Sequence, residues 1–260
     1  MLDGELIMNH SIKSLIIGGS FLAAAPAFAG VATEIAPAPV AESPWAFEVH
    51  TGYHSIYEFR GVDFGDDLWE AGADVSYALS DSLSLSGGLW YADNVVGDEL
   101  DLYVGLTKTI GSFDLSVGYT YYMFPGDTGS DTQEVYVGAS TEVAYGIGLG
   151  LTYFYDFDAI DGGYLEFEAT KSFELCSSVS LDFSAGAAWS FGYNVDVDGS
   201  ELDDFNHWFV GASLPWEIKE DVTLAPYIKF VGAGSNLSND FKTGDSEDLL
   251  LGGAVLTVSF

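Results

Sequence analysis

The sequence has 260 residues, 40 Asp and Glu against 7 Lys and Arg, a formal charge of −33, and yet 48% hydrophobic residues with a mean hydropathy of +0.20. Aromatic residues at 15% and 31 glycines exclude the disorder that so acidic a chain usually signals. A nucleic-acid partner is excluded because Arg60 is the sole arginine, and a disulfide framework because Cys176 is the sole cysteine.

In chain order, residues 1–29 read as a signal peptide. Met8 to Lys13 is a short basic region, Leu15 to Ala24 an apolar run, and Ala27-Phe28-Ala29 a small-residue cleavage site, with cleavage expected after Ala29. Asp3 and Glu5 do not suit the start of such a region, which points to Met8 as the initiator. The apolar run is shorter than the ~20 residues a spanning helix needs, and no later stretch approaches that length. Any membrane span must therefore be built from strands. Residues 30–44, with Pro37, Pro39 and Pro44, form a flexible lead-in.

From Trp45 to Phe260 one pattern repeats: about ten residues of apolar/polar alternation, then a break. It predicts strands at 46–59, 68–78, 83–92, 99–108, 113–123, 133–141, 147–157, 163–171, 178–191, 205–214, 222–231 and 249–260. The apolar positions include Phe47, Val49 and Tyr57 early and Val179, Leu181 and Phe183 later; the alternate positions are small or charged. The expected fold is all-β, an antiparallel transmembrane barrel of 12 strands over 45–260. Four features separate it from a soluble sandwich. Short connections (79–82, 109–112, 142–146, 172–177, 215–221) alternate with mostly longer acidic or Gly-rich ones (60–67, 93–98, 124–132, 158–162, 192–204, 232–248), as periplasmic turns alternate with outer loops in outer-membrane barrels. Aromatics gather at the strand ends, Tyr57, Trp69, Tyr91, Tyr121, Tyr155, Trp189, Phe191 and Phe230 on one rim and Phe47, Tyr77, Phe113 and Phe260 on the other. The strand count is even. Finally, the last strand puts Leu256, Val258 and Phe260 on one face, the pattern of a C-terminal signal read by a barrel-assembly machinery. Pro226 cannot donate a ladder bond, so a bulge or a shifted strand boundary is expected there.

Tyr57-Glu-Phe-Arg-Gly61, Leu100-Asp-Leu-Tyr-Val-Gly105, Gly118-Tyr-Thr-Tyr-Tyr-Met-Phe-Pro-Gly126 and Glu134-Val-Tyr-Val-Gly-Ala-Ser140 resemble, in order, the TorF-type family of proposed porins. The resemblance covers roughly residues 48–192, with Phe-Arg-Gly its most specific part; Val62-Asp-Phe-Gly-Asp66 departs from the family. It implies a bacterial outer-membrane location and a porin activity.

If the apolar face meets lipid, the lumen is lined by Glu48, His50, His54, Glu58, Arg60, Glu70, Asp74, Asp101, Asp156, Glu166, Glu168, Asp182 and Lys229, with Glu99, Asp114 and Glu134 also acidic on that parity. Such a balance concentrates cations, because field lines focus in a narrow low-dielectric tube. The expectation is passive, cation-preferring diffusion of small hydrophilic solutes. The competing readings are a lumen plugged by acids paired with Arg60, Lys229 and water, a non-conducting surface or adhesion barrel, and a lipid-modifying enzyme. A twelve-stranded barrel is narrower than the 16-stranded porins that hold an aqueous channel. Arg60 is expected at the outer mouth, forking to Glu58 and Glu70 or fixing the first loop.

Asn194, Asp196, Asp198 and Glu201 lie in a segment matching the first half of a calcium loop, although Phe205 occupies the position of the bidentate Glu. Calcium there is the one cofactor considered, against a solvated acidic turn. No catalytic residue is assigned: adjacent His54 and Ser55 alternate to opposite faces, and His207 and Ser213 stand about 20 Å apart along a strand. Cys176 is placed in a periplasmic turn as an unpartnered thiol.

Overall fold

A computed structural model describes residues 43–93, 97–125, 131–240 and 244–260. The predicted signal peptide and most of the lead-in lie outside these. The described strands are β1 (Trp45–Phe59), β2 (Val62–Ser80), β3 (Leu83–Asp93), β4 (Asp98–Ile110), β5 (Phe113–Met123), β6 (Thr132–Val143), β7 (Ile147–Asp156), β8 (Gly162–Cys176), β9 (Val179–Phe191), β10 (Phe205–Ser213), β11 (Trp216–Lys219), β12 (Val222–Ala233) and β13 (Leu249–Ser259). No helix occurs among the described residues. Every strand is antiparallel to its neighbours, and β13 pairs back onto β1, so the sheet closes. β10 and β11 both lie between β9 and β12 and share one line, so the thirteen segments form a closed barrel of twelve staves. Closure removes the edge strands that a long apolar-faced sheet would otherwise expose.

The break between β10 and β11 has a local cause. Leu214 donates its N–H to Pro226 O at 2.9 Å, but Pro226 has no N–H to return to Leu214. Pro215 likewise accepts from Ser180 N at 3.1 Å and cannot donate. Register is unbroken across the gap, from Ser213↔Tyr227 to Trp216↔Leu224. The bulge expected at Pro226 is thus absent, and its neighbour loses two ladder bonds instead.

Alternation decides which face meets which medium. The outward set is a continuous apolar belt: Val137 is 55% exposed and Leu250 62%, with Val49, Leu89, Val104, Val117, Leu151 and Ile228 likewise exposed. Water-soluble monomers rarely expose a contiguous apolar surface of this kind. Trp69, Tyr91, Tyr155, Trp189 and Phe191 stand on the long-loop rim of the belt, and Trp45, Phe47, Phe113 and Phe260 on the short-turn rim. Phe260 exchanges backbone bonds with Phe47 at 2.9 and 3.4 Å, which carries the closing seam to the last residue.

Three boundaries differ from expectation. Residues 215–221, expected as one short connection, carry β11 and leave only 220–221 as the turn. β8 continues to Cys176, leaving only residues 177–178 as its turn, and the thiol is exposed at the strand end. The segment 60–67 is not a loop: β2 begins at Val62, and Arg60-Gly61 alone turns the chain, with φ of 53° and 81°. Two residues with positive φ give the turn that matches the twist of a hairpin.

Candidate functional site

The β1–β2 hairpin does not follow the wall to its tip. Register shifts by one residue between Ile56↔Asp66 and Glu58↔Asp63, with Gly65 at φ 123° in the extra position of β2. A bulge bends the strand that carries it. Beyond it both faces of the hairpin are enclosed: Ile56 packs on Phe209, Val231, Leu249 and Leu251 on one side, and Tyr57 on Leu68, Trp90 and Ala92 on the other. Tyr57 is therefore an interior residue, 6% exposed and donating to Glu99 at 2.5 Å, not a member of the lipid-facing girdle.

The tip crosses the lumen. Arg60 makes a bidentate pair with Glu134 of β6, at 2.6 and 2.8 Å. Its guanidinium lies 4.3–4.8 Å from the ring centres of Phe59, Phe154, Tyr164 and Tyr193. In a twelve-stave barrel β7 stands opposite β1, so a residue of the β1–β2 turn that touches β6, β7 and β8 spans the diameter. The facing Glu134 carboxylate supplies the counter-charge that burial of the Arg60 guanidinium requires. Around the tip, Glu58 accepts from Lys229 at 2.7 Å and from Gly61 N at 2.7 Å. Asn239, in the connection after β12, donates its side-chain amide to Gly61 O at 2.9 Å and accepts from Asp63 N at 2.9 Å. A Cβ at Gly61 would lie 2.7 Å from His207 Nδ1 and 2.8 Å from Asn206 Oδ1, so a side chain there must displace them as well as adopt a positive φ. Glu58, Arg60, Phe154, Tyr164, Glu166, His207 and Lys229 enclose a cavity of about 10 Å³, on the order of the space one water needs.

The expected partners of Arg60 were Glu58 and Glu70, and neither pairs with it. Glu58 belongs to Lys229. Glu70 lies between His50 Nδ1 and His54 Nε2, each 3.5 Å away, and accepts the Trp90 indole N–H. Asp74 stands 3.5 Å from His50 Nε2 and accepts the Tyr103 hydroxyl. The remaining predicted lumen residues all lie on the interior parity, in different settings. Asp156 is fully buried, accepts Thr132 Oγ1 at 2.6 Å, and holds Asp158 N and Ile160 N of the next connection. Asp182 accepts Ser172 Oγ at 2.5 Å, Glu166 accepts Tyr164 O–H at 3.1 Å, and Glu48 accepts Ser259 Oγ at 3.3 Å. Glu168 is half-buried, while Asp101 is buried and, among the described residues, no donor reaches either of its carboxylate oxygens.

Sequence reasoning missed the interior aromatics: Trp90, Tyr103, Tyr122, Tyr136, Phe154, Tyr164 and Phe209. Their signal is local, because Trp90-Tyr91, Tyr121-Tyr122 and Tyr153-Phe154-Tyr155 place a ring on both parities where strict alternation allows one. Asn194 Oδ1 is taken by Asn206 Nδ2 at 2.6 Å. Asp196 accepts Asp198 N, and two bonds from Ser200 hold the Asp198 carboxyl below its usual range. Among the described residues no group of three or more His, Cys, Asp or Glu side chains stands close enough to hold a metal, so the four predicted calcium ligands are not brought together. His54 turns to Tyr227 at 2.7 Å, while Ser55 accepts Gly252 N from the wall, so the two do not form a catalytic pair.

Residues 38–239 match the family model described as a bacterial protein of unknown function (Gcw_chp). No curated protein matches the chain. Among solved structures, an outer membrane channel from Pseudomonas putida F1 is similar at 11% identity and TM-score 0.54, covering 86% of this chain and 98% of that one. The NanC porin is similar at 12% identity and TM-score 0.51, covering 82% and 98%. The KdgM porin, in a structure with disordered oligogalacturonate, is similar at 9% identity and TM-score 0.50, covering 83% and 99%. At such identities the likeness shows the barrel fold.

Proposed function

The chain belongs to the Gcw_chp family of bacterial proteins of unknown function, and from its own geometry we propose an outer-membrane porin-like barrel that passes small hydrophilic cations by passive diffusion. The observation that carries this reading is the contrast between the two faces of one closed sheet: an apolar belt outside and an acidic wall within. Inside, Arg60 and Lys229 are already committed to Glu134 and Glu58, whereas Glu70, Asp74, Glu99, Asp101, Asp156, Glu166, Glu168 and Asp182 remain as uncompensated or histidine-paired acids. The resulting field favours cations and opposes anions. Likeness to solved porins and channels, and the TorF-type resemblance, support the same class. The export signal expected at 1–29 would fit an outer-membrane destination, with the short turns on the periplasmic side.

In this reading the Arg60 hairpin is the constriction, and permeation requires it to shift or to leave a path beside it. A non-conducting surface barrel is the second reading, favoured by the same crossing. Planar-bilayer recording of purified protein separates them: cation-selective currents support the pore, while silence from the wild type and from Arg60→Ala alike supports the closed barrel.

A further inference from the structure

Several buried polar atoms of the lumen lack hydrogen bonds, and most have a neighbour that explains them. Glu70 Oε1 and His54 Nε2 face each other at 3.5 Å, and Arg60 Nε belongs to a guanidinium that already makes two short bonds among four rings. Ser213 Oγ is isolated beside the β10–β11 break. Asp101 and Thr120 are different. Among the described residues no hydrogen-bond donor reaches either oxygen of Asp101, whose near neighbour is a second carboxyl, and Thr120 Oγ1 has no partner; each residue is 1% exposed. A buried carboxylate with neither oxygen bonded is among the most costly groups a fold can hold, and native structures resolve it with water, a proton or an ion.

The surroundings favour an ion. Glu99 lies two residues from Asp101 on the same face of β4, and the two carboxyl groups stand within hydrogen-bonding reach of each other. Glu134, the other acid acting on Asp101, is occupied by Arg60. Register places Asp101 beside Tyr122 and Tyr103 beside Thr120, so the Thr120 hydroxyl is the diagonal neighbour of Asp101 on the interior face. Tyr57 O–H closes the far side through Glu99. Two carboxylates and a hydroxyl, all oxygen and all enclosed, are the donors a hard divalent cation takes, with water completing its shell.

We propose that Glu99, Asp101 and Thr120 bind a hard divalent cation of the calcium type inside the lumen. The charge of the ion replaces the missing counter-charge of the two acids. The site lies within the proposed pore, but its test reads binding, so it fails or survives separately from conduction.

The experiment is a terbium titration of the full-length folded protein in detergent after chelator treatment, with calcium competition. Trp90 pairs with Asp101 across β3–β4 on the interior face and serves as the sensitiser. The expected result is saturable tryptophan-sensitised emission displaced by calcium, lost in Trp90→Phe although calorimetric calcium binding persists there. Asp101→Asn should weaken affinity at least tenfold and Thr120→Val several-fold. Emission unaffected by Trp90→Phe would assign binding to the acidic loops and overturn the proposal. So would calorimetric binding indifferent to Thr120→Val, or no saturable binding, which leaves a shared proton or water in the site. If Asp101→Asn does not regain heat-modifiable migration on gels, the Thr120→Val result decides alone.

Discussion

The two halves of the lumen are built on different principles. Toward the long loops it is a packed core: Tyr57, Trp90, Tyr122, Phe154, Tyr164 and Phe209 are buried, and the Arg60 and Lys229 pairs cross between walls. Toward the short turns the interior positions of β5 to β9 are small and half-exposed, among them Ser116, Gly138, Gly150, Thr152, Thr170 and Ser184. The packed half reaches its limit where rings lie flat on glycines, Tyr136 across Gly118 and His50 across Gly72, with Tyr136 still packed on Phe154 and Tyr164. One sheet therefore carries a protein-like core at one end and a more open vestibule at the other. A barrel can keep its shape through wall hydrogen bonds alone, so the packed half points to a specific task, which the proposed reading assigns to controlled passage.

The largest expected effect breaks the packed half. Arg60→Ala leaves Glu134 buried without its charge partner, a loss of about 3–5 kcal/mol. It should lower the temperature at which the barrel loses heat-modifiable migration and raise single-channel conductance several-fold. Arg60→Lys keeps the charge but not the fork or the flat stacking surface, and should fall between. Gly118→Ala comes next: its Cβ would lie 2.2 Å from the Tyr136 ring, an overpacking that costs about 1–3 kcal/mol, read by the same gel assay. Gly61→Ala forces a side chain into positive φ and against His207, costing about 1–2 kcal/mol and displacing the tip, so its conductance should rise more than its stability falls. The smallest effect belongs to Gly150→Ala in the vestibule. Nothing lies within 4 Å of its Cβ, and stability should stay within about 0.5 kcal/mol of wild type. Gly150→Lys, at the same open position, should leave the fold intact and reduce cation preference in a salt gradient. If Gly150→Ala proves as damaging as Gly118→Ala, the vestibule is packed and the comparison fails.

The barrel was legible because alternation is written residue by residue. Val49, Val104, Val117 and Leu151 announce the outward face without any knowledge of their neighbours. The latch was not, for three physical reasons. Arg60-Gly61 followed by Gly65-Asp66-Asp67 has the composition of a loop, and only the pairing of Glu58 with Asp63 makes it a two-residue turn. The bulge there takes Tyr57 off the wall, so parity counted from Phe47 assigns it to lipid. Arg60 and Glu134 meet across a barrel diameter, a contact that depends on closure and on a bend, neither of which is local. Glu134 was on the expected parity from the outset, but its identity as the partner of the sole arginine is tertiary information.

The central claim is that the acidic wall serves a cation pathway constricted by the Arg60 hairpin. Recording the reversal potential across a planar bilayer with a salt gradient, for wild type and Arg60→Ala side by side, tests it most directly. The account predicts a cation-selective potential in both, with small wild-type conductance and several-fold larger steps in the variant. An anion-selective potential, or silence from both proteins when each is shown to be folded by gel migration, would contradict it.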